Sequence, residues 1–177
     1  FAAFISYLST AQQIFQEQYQ LGKLFPVFFG LLASSIGVAS FVNGRLVMRF
    51  GMKRLSRIAL LCACALSTAA FAGAWLWHGH PPLFALMAYM LCCFFFNGVL
   101  FGNFNARAME PMGRIAGLAA AVTGSVSGLV ALAIGTPFGR AYDGTVLPWI
   151  AGYMTCGWLA LVVTTWAERA NQAAALN

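Results

Sequence analysis

The amino-acid sequence predicts an all-α, polytopic membrane protein, and three observations carry that prediction. The 177 residues are 61% hydrophobic and only 8% charged, whereas soluble domains are about one quarter charged, and mean hydropathy is +0.79. The apolar residues fall into six runs, five of them long enough to cross about 30 Å of hydrocarbon, which takes roughly 20 helical residues. The cations sit beside those runs, so the net charge of +6 reads as a membrane edge rather than a nucleic-acid face.

The first run, 1–8, is too short to span and reads as the outer end of a truncated helix. Because Phe1 lies inside it, the chain reads as a fragment, and no signal-peptide pattern of basic stretch and cleavage site is present. Residues 12–23 are polar, hold Glu17 and read as a loop. Spans follow over 24–47, 58–77, 83–106, 115–138 and 147–167. Pro26, Pro81, Pro82, Pro111, Pro137 and Pro148 fall near span ends or in connections, where a missing N–H does least harm. Trp75 and Trp77 end the third run, and Trp149 and Trp166 stand at the two ends of the sixth, the positions of an interfacial aromatic belt.

The five cysteines all lie inside apolar runs and read as small hydrophobes. On a helix Cys62 and Cys64 point about 200° apart and Cys92 and Cys93 about 100° apart, so neither pair forms a staple or a metal site. No cofactor and no metal are expected.

The stretch 43–55 packs four cations into ten residues between two apolar runs and reads as a turn between spans. One set of connections carries Arg45, Arg49, Lys53, Arg54, Arg57, Arg107, Arg114 and Arg169; the opposite set carries Lys23 and Arg140. By the positive-inside rule the first set is cytoplasmic, and so is the C-terminus.

Small residues form two seams. In the second run Gly30, Ala33, Gly37, Ser40 and Gly44 recur at steps of three and four. In the fifth run Gly117, Ala121, Gly124, Gly128, Ala131 and Gly135 do the same. Such a period lets another helix approach closely in lipid. The seams hold the same place in successive triplets of spans, and an odd number per triplet makes the second inverted relative to the first, a transporter arrangement.

Gly44-x-Leu46-x-x-Arg49-x-Gly51-x-Lys53-Arg54 resembles the loop motif of the major facilitator superfamily, with Met48 where the motif carries an acid. Without that carboxylate the cations read first as anchors at anionic headgroups and only secondarily as a gate. The wider chain is most similar to the Bcr/CflA-type drug:proton antiporter branch. That similarity rests on Phe15-Gln16-Glu17-Gln18-Tyr19-Gln20-Leu21, on Asn43-Gly44-Arg45-Leu46-Val47, and on residues 108–117 from Ala108 to Gly117.

The resemblance implies the C-terminal six-span half of a twelve-span fold built from two inverted three-helix repeats. It also implies a bacterial inner-membrane location and proton-coupled efflux of drug-like molecules, and it makes the partner an N-terminal six-span half of the same chain. The first and fourth runs would line the cavity, the second and fifth would face the other half, and the third and sixth would be outer supports.

No Asp, Glu, Lys or Arg lies in the middle of a span, so a coupling carboxylate is expected in the other half. Tyr89, Cys93, Phe96, Asn97 and Leu100 share one helical arc of the fourth run. With Phe4 and Tyr7 of the first, they form an aromatic, weakly polar face for amphipathic ligands. A metabolite carrier of the same superfamily is the alternative. An intramembrane enzyme built on Ser125 or Ser127 lacks a base, since His78 and His80 both precede Pro81-Pro82 in the outer connection. Two histidines alone make no metal site.

Overall fold

The computed structural model describes residues 1–174, and among them the regular structure is entirely helical. Four stretches are long and apolar enough to cross a membrane: Gly22–Phe50, Met52–Leu76, Leu83–Arg140 and Leu147–Ala170. The third has 58 residues, which as one straight helix would reach about 87 Å, nearly three bilayers. It breaks at Gly113, where φ is 45° and ψ −117°, and the chain reverses.

The helices are therefore α1 (Ala2–Gln12), α2 (Phe25–Phe50), α3 (Met52–Leu76), α4 (Leu83–Met109), α5 (Ala116–Arg140) and α6 (Leu147–Ala174). Pro26 lies in the first turn of α2 and Pro82 is the N-cap of α4, positions that need no proline N–H.

Two boundaries differ from the sequence reading. Residues 12–23 are not simply a loop: α1 runs to Gln12 and passes into a π-helical turn, Gln13–Gln18. Ile14 and Phe15 turn fully inward, while Gln16 and Gln18 donate to the carbonyls of Gly22 and Gly79 at 3.2 and 2.9 Å. Alternation of buried apolar and bonded polar groups keeps this segment helical despite its polarity.

The cationic stretch 43–55 is helical on both sides of Gly51 alone, whose φ of 75° favours glycine. Long cationic side chains reach the interface from within a helix, so charge does not force a loop. Arg45 lies 4.4 Å above the ring of Phe41 and Arg49 5.5 Å from that of Phe50.

Packing is parallel within two equivalent pairs. Along α2 and α4, Ser35 bonds the Leu91 carbonyl at 2.7 Å, Gly98 meets Ala39, and Asn43 bonds Asn103 at 2.9 Å. Along α1 and α5, Gly135 meets Ala2 and Ser6, and Gly139 meets Ser9. Helix α3 packs on α4 as α6 packs on α1, and α3 and α6 pack on each other. This scheme is unchanged when α1–α3 are exchanged with α4–α6.

Two ends result. At one, the connections after α1, α3 and α5 interlock on Gly79, whose carbonyl accepts from Gln18 Nε2 at 2.9 Å and from Val146 N–H at 3.2 Å. Tyr19 donates to the Pro81 carbonyl at 2.5 Å and Tyr142 to that of Gln13 at 3.3 Å. At the other end lie the α2–α3 turn and the ends of α4 and α6, joined by the Arg107–Glu168 pair at 3.7 Å. All eight cations of the larger set stand toward this basic end.

Trp149 is not an interfacial anchor. It is 1% exposed and packs among Tyr7, Tyr89 and Tyr153, because its helix face turns toward the core. Trp75 and Trp166 are 65% and 70% exposed, as belt positions require.

A Cβ at Gly98 would stand 2.8 Å from that of Ala39 and 3.1 Å from the Ile36 carbonyl. Gly98→Ala is therefore expected to destabilise by about 1–3 kcal/mol, seen as a lower melting temperature in detergent. Gly30→Ala, which meets open space, should leave it unchanged or raise it. Burial pushes the Tyr19 phenol from 10.0 to about 12. The neutral phenol's contribution is thus complete below pH 10 and lost as pH rises through about 12. Tyr19→Phe should flatten the fall in melting temperature over that interval.

Candidate substrate cavity

A cavity of about 720 Å³ opens inside the bundle, from its middle toward the basic end. All six helices reach it, including α3 and α6, which the sequence reading placed as outer supports. No charged side chain among the described residues lines it. Aromatic rings come from Phe1, Phe4, Phe101 and Phe104, and polar groups from Ser67, Asn97, Asn105, Thr123, Ser127 and Tyr153.

The polar wall is built by hydrogen bonds between helices. Asn97 of α4 donates its Nδ2–H to the Tyr153 hydroxyl of α6, and Tyr153 donates onward to the Cys93 carbonyl at 3.4 Å. Tyr89 donates to Ser67 of α3 at 3.3 Å. In an apolar medium a half-satisfied polar group is costly, so the network locks α3, α4 and α6 at the level of the cavity.

The expected ligand face divides. Phe4 and Asn97 lie on the cavity wall. Tyr7 and Cys93 are 1% and 0% exposed in the packed core, with Tyr89 beside them. Phe96 packs against a second apolar cluster with Ala39, Leu55 and Val99. Leu100 of the same arc also lines the cavity, whereas Tyr89 is covered by Ser67 of α3 and Trp149 of α6. Sequence reading missed Tyr153, Ser67, Phe101 and Asn105; Tyr153 sits one turn after Trp149 on the same face of α6.

The seams also divide. Gly30, Gly37, Gly44, Gly117, Gly124 and Gly128 each face open space, whereas Gly135 lies directly against α1. The seams thus face mostly away from the packed contacts of this unit, and the open space at Gly124 is the cavity itself, which it lines with Thr123 and Ser127. The close approaches inside the unit, at Gly98, Gly139 and Gly152, lay outside both expected stripes. The loop-motif residues Gly44, Leu46, Arg49, Gly51, Lys53 and Arg54 fall along the end of α2 and the start of α3.

Ser125 donates to the Ala121 carbonyl of its own helix at 2.9 Å. Ser127 lies 13 residues before Arg140, the C-terminal end of α5, roughly 20 Å of helix rise from the end that holds His78 and His80.

The Asn97–Tyr153 link predicts a measurable coupling. In a double-mutant cycle of Asn97→Leu and Tyr153→Phe, melting free energies should be non-additive by about 0.6 kcal/mol, and at most about 1.7. Strict additivity would remove the link as a packing element. No family model, no curated protein and no solved structure matches the chain.

Proposed function

We propose that this chain is the C-terminal half of a major-facilitator-type secondary transporter that exports drug-like small molecules by alternating access. The observation that carries the reading is the uncharged, aromatic cavity within a bundle whose two helix triplets pack by one exchangeable scheme. A wall of rings with scattered amide and hydroxyl groups suits amphipathic ligands that need few directed contacts. Inverted repeats around such a site are how rocking carriers are built.

The open faces of α2 and α5 support the same reading. Phe41, Val38, Leu129 and Leu118 are all more than half exposed there, interleaved with glycines that touch nothing. The second six-span half of the transporter covers these faces and closes the cavity. It also supplies the titrating carboxylate for proton coupling, since the wall built here carries none. The basic end lies in the cytoplasm of a bacterial inner membrane, following the excess of Lys and Arg.

Gly37→Leu and Gly128→Leu test the proposal, because both glycines meet open space away from the cavity wall, so the new side chain fits this unit without strain. Expressed with all upstream coding sequence in cells stripped of their own exporters, each variant should reach wild-type membrane levels. Each should also lose resistance to the level of cells carrying no transporter. Full resistance at equal expression would refute the docking of a second half on these faces.

A further inference from the structure

The basic end of the bundle holds a cleft of about 590 Å³, separate in its lining from the cavity. Its walls are the α2–α3 turn, the start of α3, and the ends of α4 and α6. Lys53, Arg54 and Arg57 are exposed along the first two turns of α3. Arg107 is held by Glu168, and among the described residues that is the ion pair of the cleft. Glu110 is the second acid on the wall, so four cations against two carboxylates leave the cleft positive.

The backbone adds to that charge. Gly51 is the N-cap of α3 and no side chain caps its first turn, while the Leu55 N–H bonds the Gly51 carbonyl. The N–H groups of Met52, Lys53 and Arg54 thus remain at the positive end of the helix dipole. Met48, where an acid would have competed for these cations, is 87% exposed. Phe50 and Met52 share the wall with the cations. The cleft therefore joins an apolar side to a cationic floor, at the level where membrane-length helices end.

We propose that this cleft binds the phosphodiester headgroup of an anionic glycerophospholipid. Lys53, Arg54 and Arg57 would hold the phosphate, and the acyl chains would run along the exposed end of α2. A soluble phosphate would need the cations but not the apolar wall. The proposal depends on membrane insertion and not on the transport reading, so its test uses no transport assay.

The full protein is reconstituted in nanodiscs of phosphatidylcholine with increasing phosphatidylglycerol, and lipid retention is read by native mass spectrometry and melting temperature. Wild type should retain phosphatidylglycerol in preference to phosphatidylcholine. Arg54→Gln with Arg57→Gln should weaken that retention ~30-fold, about fivefold per cation removed. Arg45→Gln with Arg49→Gln, outside the cleft, should keep it.

Equal loss from both pairs would mean diffuse surface attraction and would overturn the site. Equal retention of phosphatidylcholine would do the same, as would displacement of the lipid by millimolar inorganic phosphate. If the Arg54/Arg57 pair fails to fold in pure phosphatidylcholine, Glu110→Gln decides: removing a carboxylate from the wall should raise phosphatidylglycerol retention, and no change overturns the proposal.

Discussion

In hydrocarbon a leucine gains little by turning inward, so apolar burial alone does not tell these helices which faces to join. What joins them is close approach at small residues and a few hydrogen bonds that lipid cannot replace. Gly98 against Ala39, Gly135 and Gly139 against α1, and the Asn43–Asn103 pair set the two parallel helix pairs. Tyr153, Asn97, Ser67 and Tyr89 then fix α3 and α6 across them. The exposed Val, Leu and Phe side chains of α2 and α5 are the counterpart of this rule: their bulk faces outward at no cost in lipid.

The same constraint explains why the cavity persists. Its wall combines rings with amides and hydroxyls, of which Asn97 bonds Tyr153 and Ser67 bonds Tyr89, so α3, α4 and α6 are fixed around it. Asn97 bonds Tyr153 rather than standing free, which leaves the cavity polar but without an unmet charge. A site of this kind distinguishes ligands by shape and a few hydrogen bonds. Under the proposed reading, coupling to an ion would belong to the half that covers the open faces of α2 and α5.

The two ends of the bundle differ in how they are held. At the Gly79 end, three connections meet through hydrogen bonds to the Gly79 carbonyl, and a Cβ at Gly79 would stand 2.5 Å from Thr145, so these connections are packed directly on one another. At the basic end the Arg107–Glu168 pair at 3.7 Å is, among the described residues, the ion pair that links α4 to α6, and Arg45, Arg49, Lys53, Arg54, Arg57, Arg114 and Arg169 are exposed. Side-chain joining there is sparser than the shared backbone hydrogen bonds of the Gly79 end.

Membrane class, helix number and the sorting of charge to one end were legible in the sequence, because hydropathy and charge are properties of residues counted along a line. The breaks at Gly51 and Gly113 were legible as connections, though not that one residue sufficed at Gly51. The seams were legible as stripes, and tertiary structure decided which glycines meet a helix within the unit and which stay open. Tyr89 and Cys93 share a face with Asn97 and Leu100 by periodicity, yet only Asn97 and Leu100 reach the cavity. Trp149 had the position of an anchor and became core. In each case the sequence determines which face of a helix a residue occupies, and only packing decides whether that face meets lipid, a cavity or another helix, because in lipid all three accept the same apolar side chains.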